Sequence, residues 1–419
     1  MGGKGKIPPG GVNSKAFENH SLMFPNAYPP HLTLWGHDKS DDTWKMCSII
    51  HARPRTGVEL IQTKFDQLDA SDFDYYIHWQ GLDRRLDCWI PWVDLRSLED
   101  EPEEGKILRI ENDGSESHHG GMDAEYLREH ENNTKLKTIL KIKLGKHLVD
   151  TWYFSPYPKD YQNLDVLYIC EFCLNFFRYE TEMNRHIVRC EIRHPPGNEI
   201  YRDGKISMFE VDGSLNRVYC ENLCYLSKLF LDHKSLRHTV NLFLYYILTE
   251  YDDNGYHITG YFSKEKHSKN NVSCLLCLPQ HQRKGYGKFL ICFSYLLSRK
   301  EKKVGTPERP LSDLGKASYM SYWGKCLYDI LRDESVNQYS IQEISSMTCF
   351  EGADIVACLE ERGLLHTLSS GEPIIIANEQ LLEKLKGESS VKTRIADADK
   401  LHWIPYDMYN ETHELNLPH

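Results

Sequence analysis

The chain lacks any run of about 18 apolar residues, the length needed to cross a bilayer, so no membrane-spanning segment is expected. Its start, MGGKGKIPPGG, has no apolar stretch after the basic residues and does not read as a secretory signal. It does not read as a myristoylation site either, because Lys6 stands where Ser or Thr is required. A basic excess is also missing. The formal charge of −11 argues against broad electrostatic binding to nucleic acid and fits a basic protein or peptide as partner. The 13 cysteines are odd in number, and only three of them have metal-ligand spacing. That points to a reduced, intracellular chain rather than a disulfide scaffold.

The 419 residues predict two to three domains. Residues 1–40, rich in Pro, Gly and Asn, read as a flexible N-terminal segment. Residues 41–98 change texture: DYYIHWQGLDRRLDCWIPWVDL alternates apolar and polar residues and is dense in aromatics. This predicts short antiparallel strands in a small barrel. Residues 99–135 hold EDEPEEGK and ENDGSESHHGG, an acidic, Gly-containing linker or an acidic partner-binding tail. The chain is dense again from residue 136. LKTILKIKLGKHLVD predicts strands, and ENLCYLSKLFLDHKS predicts a helix. NLFLYYILTEYDDNGYHITGYFSKE predicts two strands joined by a turn at Asn254–Gly255. Ser340–Leu365 predicts helix, turn, helix, and LHTLSSGEPIIIA a strand pair. The second of those helices is acidic, so the segment reads as packing support rather than a DNA reader.

Cys170-x-x-Cys173, twelve residues, then His186-x-x-x-Cys190 is strong metal-ligand spacing. The cysteine pair fits one tight turn, and His186 and Cys190, four apart, share a helix face. Four such ligands with no open position suit one structural, tetrahedral Zn²⁺. Phe172, Phe176 and Phe177 offer a small core around it. Glu180 and Glu182 on the helix argue against DNA reading.

CLLCLPQHQRKGYGKFLICFSYLL, Cys274–Leu297, reads as a buried strand, a basic two-glycine loop and an amphipathic helix. Glycines at a strand-to-helix turn let backbone N–H groups approach an anion, and the helix N-terminus adds its dipole. Arg283, Lys284 and Lys288 add charge, so the expected guest is a phosphate or pyrophosphate. The glycines are too close for a Walker loop, and no third glycine completes a dinucleotide fingerprint.

Gln282-Arg283-Lys284-Gly285-Tyr286-Gly287 after a strand is similar to the pyrophosphate loop of acetyl-CoA-dependent N-acetyltransferases. With YLSKLFLDHKSL, GYFSKEK, KVGTPERPLSDLG, LHWIPYDM and the zinc segment, residues from about 125 to 407 resemble the MYST family of histone lysine acetyltransferases. Tyr75–Leu95 resembles the chromo-barrel that precedes some of these catalytic domains. The resemblance implies an α+β fold with a GNAT-like central mixed sheet. A zinc finger (165–195) and a winged-helix-like segment (321–387) would flank an acetyl-CoA core (196–320) within a 136–410 acetyltransferase domain. It implies Glu308, in Gly305-Thr306-Pro307-Glu308, as general base; a partly buried site would favour that role. It places Cys274 beside the acetyl group. Leu275, Leu276, Cys277, Gln282, Arg283, Lys284, Gly285, Tyr286, Gly287, Lys288, Ser312 and Ser321 would contact acetyl-CoA, and Lys234 would be autoacetylated. Cys277 stands where the family has Thr, Ser273 where it has Ala, and RHTVNLFLYY lacks the usual Asp-Pro.

The implied function is acetyl transfer from acetyl-CoA to histone lysines in the nucleus, in chromatin and transcription regulation, within a multiprotein complex. The barrel aromatics Tyr75, Tyr76, Trp79, Trp89 and Trp92 could cage a methyl-lysine, meet RNA or a protein partner, or simply form a core. The competing reading is a catalytically weak chromatin scaffold that recognises histones or nucleic acid through the barrel. An intact Cys274, glycine loop and Glu308 favour the enzyme.

Overall fold

The computed structural model describes residues 26–55, 68–100, 106–108, 137–234, 236, 239–332, 339–367, 373–375 and 394–406. Two compact units divide the chain: residues 1–136 with 152–154, and the remainder.

The first unit is a curled β-sheet. Its strands are β1 (Thr33–Asp38), β2 (Thr43–Pro54), β3 (Phe73–Trp79), β4 (Cys88–Pro91), β5 (Leu95–Arg96) and β6 (Lys106–Leu108). The order is β4-β3-β2-β1-β5, and β6 adds parallel to the start of β2. The long β2 shifts register between Ile49 and His51, which lets its two halves serve different neighbours. In β3 burial alternates strictly, so Phe73, Tyr75, Ile77 and Trp79 meet Leu34, Cys47 and Ile49 in one core. Two boundaries differ from expectation. Strand β1 falls in the segment read as flexible, because Thr33–Trp35 is too short to show periodicity. Strand β6 falls in the segment read as linker; residues 1–25, 101–105 and 109–136 lie outside the described residues.

The second unit opens with β7 (Ile139–Leu144), β8 (His147–Asp150), β9 (Leu164–Ile169) and β10 (Phe176–Phe177), in sheet order β10-β9-β7-β8. Helix α1 (Glu180–Arg189) follows. Next come β11 (Asn198–Asp203), β12 (Ile206–Asp212), α2 (Arg217–Lys228), β13 (Phe243–Asp252), β14 (Gly255–Glu265), β15 (Asn270–Val272) and β16 (Cys274–Cys277). Helix α3 (Tyr286–Glu301), β17 (Thr306–Pro307) and helices α4 (Asp313–Leu331), α5 (Ile341–Thr348) and α6 (Gly352–Glu361) complete the core. Strands β18 (Leu365–Thr367) and β19 (Pro373–Ile375) form a hairpin.

The central sheet, β11-β12-β13-β14-β16, is antiparallel at every pairing, not mixed as expected. The parallel pairing sits beside it, in the separate β15–β17 ladder. The β13–β14 turn is Asp253–Asn254, one residue earlier than read, since Asp252 pairs with Gly255. Asp252 Oδ1 accepts the Asn254 N–H at 2.8 Å and fixes that turn. At Gly260 a Cβ would lie 2.5 Å from the Leu276 carbonyl oxygen, so glycine is what lets β14 approach β16.

Helix α3 was expected to be amphipathic, yet Phe289 to Ser298 are all buried. It lies between the sheet and α4, so it has no solvent face over those turns. Helix α4 runs through position 320, where the acetyl-CoA core was expected to end. Parts of the 321–387 segment (333–338, 368–372 and 376–387) lie outside the described residues. Among the described residues, no helix is long and apolar enough to cross a membrane.

Candidate active site and metal centre

Strand β16 is bonded to β14 on one edge, with Ser263 opposite Cys274 and Gly260 opposite Cys277. Among the described residues its other edge has no ladder partner. Cys274, Leu275 and Cys277 are half-buried and Leu276 is buried. A short strand with one free edge offers backbone groups to an extended ligand.

Cys274 sits in a polar cluster that sequence reasoning did not assemble. Its Sγ lies 3.3 Å from Tyr261 Oη, which lies 2.6 Å from Ser227 Oγ. Cys224 Sγ lies 3.5 Å from Tyr245 Oη. Burial works against charge on Lys234, but electrostatic attraction to the Cys274 and Cys224 sulfurs, with hydrogen bonding to them, outweighs it, and the ammonium pKa is raised. Lys234 therefore stands beside Cys274. The helical spacing of α2 was readable, but not that its Cys224 and Ser227 would meet β13 and β14.

Beyond β16 the chain turns through Pro279–His281 into the glycine loop. Gln282 Nε2 donates to the Cys277 carbonyl at 3.1 Å and ties the loop to the strand. Gly285 has φ +90° and caps α3; its carbonyl accepts the Phe289 N–H at 3.0 Å. That left-handed conformation opens the first-turn N–H groups of α3 to a ligand. A Cβ at Gly287 would meet nothing within 4 Å, so space lies over the helix start. Arg283 and Lys284 are exposed around it. Burial lowers the Lys288 pKa and pushes the Cys277 thiol up to about 12.

Glu308 follows β17. Its N–H donates to the Val272 carbonyl at 2.8 Å, two residues before Cys274. Glu308 is exposed, so the partly buried site that would favour a base is not supplied by the protein alone. Ser312 is the N-cap of α4, its Oγ accepting the Gly315 N–H at 3.1 Å. Ser321 lies half-buried two turns further along α4.

The expected zinc ligands converge. One ligand atom each from Cys170, Cys173, His186 and Cys190 falls within 4.8 Å of all the others. The Cys170–Asn175 turn closes with Cys170 N–H donating to Asn175 O at 2.9 Å, and α1 carries His186 and ends at Cys190. Hydrogen bonding from Cys173 and nearby N–H groups draws the Cys170 thiol down to about 5, while the same contact pushes Cys173 up. Two sulfurs in contact cannot both ionise without a cation between them, so the donor set fits Zn²⁺. Phe172 and Phe177 pack on this cluster as expected. Phe176 does not; it packs edge-on against Tyr157 and Tyr161.

The barrel aromatics do not form one cage. Tyr75 and Trp79 are core residues, because the period of two sends Tyr76 to the opposite face. Tyr76 pairs with Trp89 at 5.4 Å, and the Arg53 guanidinium already covers Trp89 at 4.2 Å. Trp92 Nε1 donates to Tyr28 Oη at 3.1 Å.

Comparison with known proteins extends these observations. Residues 194–401 match the MOZ/SAS family, 136–190 the MYST family zinc finger domain, and 31–97 the RNA binding activity-knot of a chromodomain. The chain is 48% identical over 352 residues to histone acetyltransferases of the MYST family 2 and 1 of Arabidopsis thaliana, covering 80% of this chain and 79% of each relative. It is 47% identical over 273 residues to histone acetyltransferase KAT6A of Homo sapiens, covering 64% of this chain and 14% of that protein.

Proposed function

Because the chain belongs to the MYST family of histone acetyltransferases, which are acetyl-CoA-dependent acyltransferases, we propose that it moves acetyl from acetyl-CoA to histone lysine side chains with Glu308 as general base. The observation that carries this is the layout of β16. Cys274 begins the strand, Glu308 is tied to Val272 just before it, and the glycine loop follows its far end. Four residues at roughly 3.4 Å each span about 14 Å, a separation suited to a thioester at one end of an extended arm and a pyrophosphate at the other. The free edge of β16 would take the arm's amides. The loop N–H groups, Arg283, Lys284 and Lys288 would take the phosphates. Leu275, Leu276, Cys277, Gln282, Gly285, Tyr286, Gly287, Ser312 and Ser321 complete this contact set. The antiparallel core with a separate β15–β17 ladder supports a GNAT-like arrangement in which β16 and β17 diverge around the cofactor.

Lysine has a pKa near 10.4, so presenting it as a neutral amine at pH 7 costs about 4.6 kcal/mol. Glu308 would remove that proton directly or through a water. The exposed carboxylate would become enclosed only when donor and substrate cover it. Direct transfer in a ternary complex then needs from Cys274 only the shape of the acetyl pocket. N–H groups of β16 would stabilise the oxyanion. Lys234, beside Cys274, would be the lysine that is autoacetylated. We further infer nuclear action on histones or nucleosomes, in a multiprotein chromatin complex. The barrel would contact chromatin or RNA, and α5, α6 and the β18–β19 hairpin would form a winged-helix-like support.

The test is transfer from labelled acetyl-CoA to core histones by wild type and Glu308→Gln across pH. Loss of about 100-fold or more near neutrality, partly recovered at high pH where free lysine deprotonates, is expected. An active wild type with an unaffected variant would remove Glu308 from the mechanism. An inactive wild type on both histones and nucleosomes would favour the scaffold reading.

A further inference from the structure

The stretch Gly305–Arg309 is tied on both edges. On one side Glu308 N–H donates to Val272 O at 2.8 Å, and β17 pairs with β15. On the other, Gly305 N–H donates to Cys349 O at 2.9 Å and Gly305 bridges to Phe350. At the same end a Cβ on Gly305 would collide with Asn271 at 2.7 Å. The remaining ties come from one side chain distant in sequence. Asp354, near the start of α6, accepts from Thr306 Oγ1 at 2.8 Å and from the Arg309 guanidinium at 2.5 Å. These donors lie two residues before Glu308 and one residue after it.

We propose that Asp354 is a positioning residue for acetyl transfer: its buried carboxylate holds the side chains of Thr306 and Arg309, on either side of Glu308, and so fixes where the base stands. The proposal rests on the reading of Glu308 as general base. An acidic residue in a helix's first turn is favourable by itself, but that needs no burial. Asp354 is 2% exposed, and burial raises its pKa despite both donors. Such a carboxylate is costly to hold away from water unless its donors are fixed. Both side-chain donors that reach it belong to the stretch carrying Glu308. Tyr319 of α4 and Tyr295 of α3 lie near enough for the Asp354 charge to add to burial in raising their phenol pKa values. The clamp couples α6, in the C-terminal helical segment, to the reacting end of the sheet.

A displaced base of this kind costs rate rather than donor affinity. Misplacement by about 1 Å lowers turnover by up to roughly 100-fold. The experiment uses the full chain, acetyl-CoA and core histones, with Asp354→Asn, Thr306→Val and Arg309→Gln, each alone and combined with Glu308→Gln. Asp354→Asn is expected to lower kcat about 10- to 100-fold while the KM for acetyl-CoA stays within about twofold. In the Glu308→Gln background the same change is expected to cost less than about twofold, since residues acting as one unit are not additive. Equal losses in both backgrounds would mean that Asp354 acts through the fold, and would overturn the proposal. So would an unchanged kcat, or a loss confined to the acetyl-CoA KM. Should Asp354→Asn lose its cooperative melt, Thr306→Val removes one donor and leaves the carboxylate, and carries the same test. A Glu308→Gln variant with wild-type rate would instead sink the base assignment, and this proposal with it.

Discussion

Glu308 and Val272 are joined by a backbone hydrogen bond of 2.8 Å, from the Glu308 N–H to the Val272 carbonyl. This bond brings two distant stretches together at the start of β16. Val272 ends β15, Ser273 turns the chain, and Cys274 begins the strand whose free edge faces the expected acyl donor. The proposed base is therefore tied in place through its main chain, and Glu308 is exposed to solvent. Such a layout would separate the task of holding the donor, proposed for β16 and the glycine loop, from the task of deprotonating the acceptor, proposed for Glu308.

The glycine loop gives a prediction about donor binding. Gly285 has φ +90°, a conformation that costs a residue with a Cβ about 1–2 kcal/mol. Gly285→Ala should raise the KM for acetyl-CoA about tenfold, because the first-turn N–H groups of α3 would swing away from the pyrophosphate. The KM for histone should change little. Steady-state rates at varied acetyl-CoA and fixed histone measure this, and an unchanged acetyl-CoA KM would show that the loop does not hold the donor.

The metal centre predicts one zinc per chain by elemental analysis. Cys190→Ala removes one of the four expected ligands and leaves the backbone bond that closes α1, Cys190 N–H to His186 O at 2.8 Å, intact. The variant should melt at least about 5 °C lower than wild type and release zinc to a weaker chelator. Cys170, Cys173 and Met183 are the buried residues of a small cluster that Tyr168, Phe172 and Phe177 only partly cover, so the finger is expected to depend on the ion for its fold. A variant with full zinc content and an unchanged melt would show that Cys190 is not a ligand.

What was legible in the sequence follows from how local each signal is. The four zinc ligands lie within 21 positions, and their spacing alone implied one turn and one helix face. The β14 and α3 runs and the glycine loop were readable for the same reason. Strand β1 was not, because its six residues, Thr33–Asp38, hold a single apolar pair, Leu34–Trp35, and show no period. Strand β6 was hidden in an acidic segment, since its pairing with β2 is decided by tertiary contact rather than propensity. The antiparallel order of the central sheet is long-range information. The Asp354 clamp crosses 45 and 48 positions, and in sequence Asp354 is only one acid in an acidic helix. The barrel aromatics show the converse failure. Composition grouped Tyr75 with Tyr76, and the pleat put them on opposite faces.

His281 predicts how stability depends on acid. It lies in the turn before the glycine loop, packed edge-on to His147 and Tyr286. Burial, with the charge of Lys284 adding to it, pushes its pKa down to about 4. In the unfolded chain the value is about 6.5, so between these limits the unfolded state binds the proton and the folded state does not. The contribution of neutral His281 is therefore complete above about pH 6.5 and is lost as pH falls toward about 4. Urea unfolding of zinc-loaded wild type and His281→Gln at pH 5 and pH 7 isolates the effect, because zinc release is common to both. The stability difference between them should shift by about 1–2 kcal/mol, against wild type on the acid side. A difference that stays constant with pH would mean that His281 takes up its proton in the folded protein as readily as in the unfolded chain. The turn that leads into the glycine loop would then hold an imidazolium at pH 5.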